Sequence, residues 1–110
     1  MADKFVMPID LDHLAKYTLG DAGLERDLGE AFGESCDLYL PALAAAETAH
    51  AWKQAAHGLK GAARGIGAFG LGDLCEAAEQ VDAGDDAVRQ NMLVRIGAAA
   101  DEARAFLSGR

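Results

Sequence analysis

Between Trp52 and Ile66 the apolar residues Trp52, Ala56, Leu59, Ala63 and Ile66 recur at spacings of three and four. That is the period of one helix face and cannot be laid on a pleated strand, whose side chains alternate every two residues. An amphipathic helix of this kind needs a core beneath it, so the rest of the chain must supply matching apolar faces. On a wheel at about 100° per residue, His57 falls roughly 140° from the middle of the stripe, and Lys53, Lys60 and Arg64 lie between about 80° and 120°. The spacing therefore predicts that His57 points to solvent, with Lys60 and Gly61 as its neighbours on the next turn.

The remaining segments read as helices too. β-branched residues are few, Ala, Leu and Glu are many, and no alternating run is long enough for a strand. A short first helix is expected over Asp10 to Tyr17, with an Asp10 cap after Pro8 and with Leu11 and Leu14 on one side. Gly20-Asp21 stops it and caps a long second helix ending near Glu47, with Leu24, Leu28, Ala31, Phe32, Leu38, Leu43 and Ala46 as its apolar residues and a bend near Pro41. Two helices broken near Ser35 is the competing reading. Thr48 caps the His57 helix, expected from 49 to about 66, where Gly65 and Gly67 accumulate. Leu71, Leu74, Cys75, Ala78 and Val81 mark the next helix, and Gly84-Asp85 closes it and caps the one that follows. A last helix is expected to bury Val88, Met92, Ile96, Ala99, Ala103 and Phe106. Four long helices with short connections imply an all-α fold: an antiparallel up-down-up-down four-helix bundle with the short N-terminal helix packed across one end.

A chain of 110 residues with 51% hydrophobic and 25% charged residues has the size and composition of a single globular domain spanning 1–110. It lacks a run of eighteen apolar residues and its first six residues lack the pattern of an export signal, so a cytoplasmic protein without a membrane span is expected. The net charge of −8 repels nucleic acid and anionic lipid. Against that background, Lys53, Lys60 and Arg64 form a basic cluster around His57, aimed at something small and negative. Cys36 and Cys75 have no CxxC partner and read as reduced thiols, with Cys75 a small buried hydrophobe. His13 reads as an ordinary surface residue. His50 lies two turns before His57, but Lys53 and Gln54 occupy the positions three and four beyond it and no glycine clears an approach.

The run Ala56-His57-x-Leu59-Lys60-Gly61, followed by Ile66-Gly67-Ala68, Leu71, Leu74-Cys75 and Glu79, resembles the histidine-containing phosphotransfer (HPt) domains of multistep two-component phosphorelays. The resemblance extends over residues 9 to 107. It departs at Gly65, Gly70 and Gly72, and at Ala62 where members often carry Ser. It implies that His57 carries a phosphoryl group between aspartates of receiver domains, belonging to response regulators or a hybrid histidine kinase. Lys60 would stabilise charge, Gly61 would leave steric clearance, and Lys53 and Arg64 would form a basic surface facing the partner. The implied protein is a phosphotransfer intermediate with no ATP-dependent kinase activity of its own. Neutral imidazole, with an unperturbed pKa of about 6.5, has a ring nitrogen free to attack. Magnesium is expected on the receiver; the sequence offers no acidic site near His57, so no metal or cofactor of the chain's own is expected. A monomer is expected.

Two rivals come from other classes. The phosphoacceptor domain of a chemotaxis-type kinase looks similar around the histidine but requires an ATP-binding region, and no glycine-rich nucleotide loop precedes Arg110. A structural or cofactor-binding helical bundle with His57 as an axial ligand requires inward-facing ligands, which the wheel does not provide.

Overall fold

The computed structural model describes residues 7–81 and 84–110, so the reading of the first six residues lies outside the described residues. Five helices follow one another: α1 Leu11–Thr18, α2 Ala22–Ala45, α3 Ala49–Ile66, α4 Phe69–Glu79 and α5 Asp86–Ser108. No strand occurs among the described residues. The side chains expected to cap four of the helices do so. Asp10 accepts from the His13 N–H, Asp21 from Leu24, Thr48 from Ala51 and Asp85 from Val88, all at 3.0 or 3.1 Å, satisfying donors that a helix start leaves without partners.

α2 packs on α3 and α5, α4 packs on the same two, and α1 rests on α2. The smallest dimension, 19 Å, is two helix diameters of about 10 Å each. Trp52, Leu59, Ala63 and Ile66 of α3 meet Phe32, Cys36 and Leu43 of α2, Leu71, Cys75 and Ala78 of α4, and Met92, Ile96, Ala100 and Ala103 of α5 in one core. Trp52 buries its ring completely and still satisfies its indole, which donates from Nε1 to the Ala78 carbonyl at 2.7 Å. Arg89 of α5 lies 4.5 Å above that ring and donates to the Ala46 carbonyl at 2.7 Å, tying the end of α2 to α5.

The structure corrects several expectations. α2 is one helix of 24 residues that runs past Ser35 and Pro41 and ends at Ala45, two residues before the expected stop. Leu24, Ala31 and Leu38 are exposed, Leu38 by 62%. These three are seven apart and form one ridge, whereas the core is met by the neighbouring ridge of Phe32, Cys36 and Leu43. The apolar residues of α2 are spread over two adjacent ridges, and only one of them faces the core. On α5, Val88 is 41% exposed and Ala100 is fully buried, while Ala99 is only partly covered. The stripe turns through Met92, Ile96, Ala100 and Ala103, and Val88 lies outside the core in the first turn.

The α3–α4 junction explains two of the glycines. Gly67 caps α3 at φ +90°, where its own N–H reaches the Arg64 carbonyl at 3.2 Å and the Ala68 N–H reaches Ala63 at 2.8 Å, the paired bonds of a left-handed helix stop. The segment before α1 then docks on it, with the Asp10 N–H donating to the Gly67 carbonyl at 2.9 Å. A Cβ at Gly67 would stand 3.0 Å from the Asp10 carbonyl oxygen. His13 is no ordinary surface residue. Its Nε2 lies 3.3 Å from the Gly65 carbonyl, and its ring meets Tyr17 and Phe69 edge-on, so it pins α1 to the junction. Gly72, the second, lies over Arg64: a Cβ there would stand 2.8 Å from Arg64 Cγ.

Candidate functional site

α3 turns one face into the core and the opposite face outward. Trp52, Ala55, Ala56, Leu59, Ala63 and Ile66 are buried, and the intervening His57 is 71% exposed at its side chain. One turn further, Gly61 is exposed, and a Cβ built there would meet no atom within 4 Å. The space above the imidazole on that side is open. His50 is also exposed, in the first turn of the same helix. Lys53 is exposed toward the N-terminal end of α3.

The expectation of no acidic group near His57 is overturned. α4 runs alongside α3 and brings Glu79 beneath the imidazole, with Oε1 at 3.5 Å from His57 Nδ1 and Oε2 at 2.6 Å from Lys60 Nζ. The Glu79 side chain is only 8% exposed and that of Lys60 only 17%. Glu76 stands 3.8 Å from the same ammonium. The pair is covered by protein on most sides, so its attraction is less screened than at an open surface. The hydrogen bond from Lys60 holds the Glu79 carboxyl below the ordinary carboxylate range. Burial opposes that shift, and the charges of Lys60 and His57 add to it.

The basic cluster is correspondingly less free than the sequence suggests. Arg64 reaches over α4 and donates to Glu76 at 3.0 Å and to Asp73 at 3.4 Å, chiefly an ion pair along the helix surface. Lys60 and Arg64 are thus matched by three carboxylates of α4, and Lys53 is set apart from them. Of the expected site residues, the structure brings His57, Lys60 and Gly61 together, turns Arg64 toward α4, and leaves Lys53 on the solvent face.

Two neighbours of His57 have no role in the sequence reading. Glu79 is among the residues that carry the family resemblance, but it lies 22 positions beyond His57 in another helix, and only the packing of α3 on α4 joins the two; its place four residues after the buried Cys75 was a second signal, because it puts a carboxylate beside an apolar stripe. Gly58 follows His57 directly and lies under the ring of Tyr39 from α2, so that a Cβ at 58 would overlap Tyr39 Cε1. Nothing in the α3 periodicity points to Tyr39. The two cysteines are buried. Burial first, then the nearby Glu79 charge and Cys36, push the Cys75 thiol up to about 12, and burial also raises Cys36; neither is a poised nucleophile.

No group of three or more His, Cys, Asp or Glu side chains converges as metal ligands among the described residues, and no helix there is long and apolar enough to cross a membrane. A family model described as Hpt domain matches residues 24–106. No curated protein and no solved structure matches the chain.

Proposed function

The chain belongs to the Hpt domain family, and from that membership we propose that it is a carrier in a multistep phosphorelay, holding a phosphoryl group on His57 between receiver aspartates. Hpt domains serve histidine phosphotransfer in two-component signalling and are intermediates rather than kinases. The observation that carries the assignment to His57 is its 71% exposed side chain on α3, with open space over Gly61 one turn along. A nucleophile that must meet a phosphoryl group held in another protein's active site needs that approach. An axial ligand of a bundle cofactor would have to face inward instead.

Transfer through a loose, metaphosphate-like transition state is mainly a matter of in-line positioning and charge neutralisation. Lys60 supplies the neutralisation. Its ammonium has three donors, so it can keep one on Glu79 and turn another toward an equatorial phosphoryl oxygen. Gly61 acts by leaving room for the receiver, whose own acidic site would carry the magnesium. Lys53 and Arg64 edge the face that the receiver would cover, Arg64 with its charge already matched by α4. The proposed antiparallel course of α2 to α5 is supported by the closed ring of helix contacts and the short connections. A cytoplasmic monomer fits a transient interface of modest size with soluble receivers.

The test is label transfer from a panel of phosphorylated receivers to purified wild type and His57→Gln. Wild type should accept label in an acid-labile, base-stable bond; the variant should keep its helical circular dichroism and accept none. Acceptance by His57→Gln would overturn the assignment, and His50 would be examined next.

A further inference from the structure

We propose that Lys53 is the residue that holds the phosphoryl group on His57 between transfers, and that it thereby sets how much of the group rests on this chain. This rests on the reading of His57 as the phosphoacceptor. Three cations surround His57 on α3, and two of them are already committed. Lys60, with its side chain 17% exposed, has its ammonium on Glu79 and Glu76, and Arg64 is matched by Glu76 and Asp73. Lys53 is exposed and makes no ion pair or hydrogen bond among the described residues.

The helix brings this free cation to the ring. Lys53 precedes His57 by four residues, and residues at that spacing have Cβ atoms about 5–6 Å apart. Helical side chains lean toward the N-terminus, and each covers the turn before its own Cα. The imidazole of His57 therefore stands over the turn that carries Lys53, whereas Lys60 and Arg64 reach it from the turns behind. With the His57 side chain 71% exposed, a group on the solvent-facing ring nitrogen is carried out over that same turn.

The chemistry calls for such a cation. On acceptance, the lone pair of the solvent-facing ring nitrogen forms the N–P bond while the P–O bond to the donor aspartate breaks, and its electron pair leaves on that carboxylate. On donation, an aspartate oxygen of the next receiver bonds to phosphorus and the N–P electron pair returns to the ring. Between the two steps no receiver is present, and the chain alone must offset the new charge. A phosphoryl group brings roughly −1.5 to −2 charges near pH 7 to a chain whose net charge is already −8, beside the α4 carboxylates that Lys60 and Arg64 serve. Lys53 has no competing partner, and its ammonium offers three donors.

Two measurements on the full chain test this. The protein is phosphorylated with phosphoramidate, without a receiver, and the second ionisation of the phosphoryl group is followed by ³¹P NMR, using the signal that His57→Gln abolishes. A neighbouring cation favours the dianion, so Lys53→Gln should lower that acid constant about two- to fivefold at low salt, the scale of one exposed ion pair. High salt should erase the difference. Lys53→Arg should match wild type. So should Arg95→Gln, which removes an exposed cation from α5, a helix packed on α2 and α4. In the second measurement, label is equilibrated between the chain and one receiver, and Lys53→Gln should move it toward the receiver by the same factor. An unchanged ionisation in Lys53→Gln, with or without weakened receiver binding, would overturn the proposal, as would an equal shift in Arg95→Gln. If wild type takes no label from any receiver, the phosphoacceptor reading fails instead, and the ³¹P titration still decides whether Lys53 faces the group.

Discussion

Gly58 and Gly61 are three residues apart on α3, and the structure gives their replacement opposite signs. Alanine is better than glycine in a helix interior by about 1 kcal/mol. At Gly61 the new methyl meets nothing within 4 Å, so Gly61→Ala should stabilise by nearly that amount. At Gly58 the methyl would fall within the ring of Tyr39, and either the helices separate slightly or the half-buried ring swings out. Overpacking of this kind costs about 1–3 kcal/mol, so the net change for Gly58→Ala is between about zero and 2 kcal/mol of destabilisation. The two variants should then differ by about 1–3 kcal/mol, or roughly 4 °C in melting temperature per kcal/mol for a domain of this size. Urea and thermal unfolding followed by circular dichroism measure both. Tyr39→Ala supplies the internal check: in that background Gly58→Ala should become stabilising, closing a double-mutant cycle on the pair. Equal stabilisation by both glycine replacements, or no coupling to Tyr39, would show that Tyr39 is not seated on Gly58.

Other outcomes follow from the same packing. Leu59 is fully buried, and Leu59→Ala should lower unfolding stability by roughly 2–5 kcal/mol, seen as a reduced urea midpoint. Cys75, with its thiol pushed up to about 12, should resist thiol reagents at pH 8 in the native protein and react only as fast as the bundle opens, as followed by mass spectrometry. Glu79 is held below its ordinary value. Its ionised form therefore adds stability that is complete above the unfolded value of about 4.3 and is lost as pH falls through the lower folded value; urea midpoints measured below about pH 5 should fall less steeply for Glu79→Gln than for wild type. Lys60→Ala should slow single-turnover transfer by about 2–3 kcal/mol of lost transition-state stabilisation while receiver affinity, measured by titration, changes little.

The parts of the molecule that depend on neighbours along the chain were legible in advance. The α3 boundaries follow from Thr48 and Gly67, and the outward placement of His57 follows from the three-and-four spacing, because caps and helix faces are local. The acidic side of the site was not legible from periodicity. The same wheel that groups Lys53, Lys60 and Arg64 says nothing of α4, so a cluster that looks free in sequence is mostly paired in three dimensions through Asp73, Glu76 and Glu79. Leu38 failed for a different reason: over 24 residues of α2, apolar side chains occupy two adjoining ridges, and only the packing of α3 and α5 selects one of them. His13 shows the converse, since a polar residue in a short helix acquires its role from a carbonyl 52 positions away.

The bond from the Asp10 N–H to the Gly67 carbonyl turns one amide proton into a gauge. Asp10 precedes the first turn of α1, so no carbonyl of that helix can shield its N–H, and exchange with deuterated solvent is slowed there only while the segment before α1 is seated on the α3–α4 junction. The Leu59 amide, inside a long helix, reports opening of the bundle itself. Comparing the two rates with and without a bound receiver distinguishes an encounter that lifts the N-terminal segment from one that leaves the whole molecule at rest.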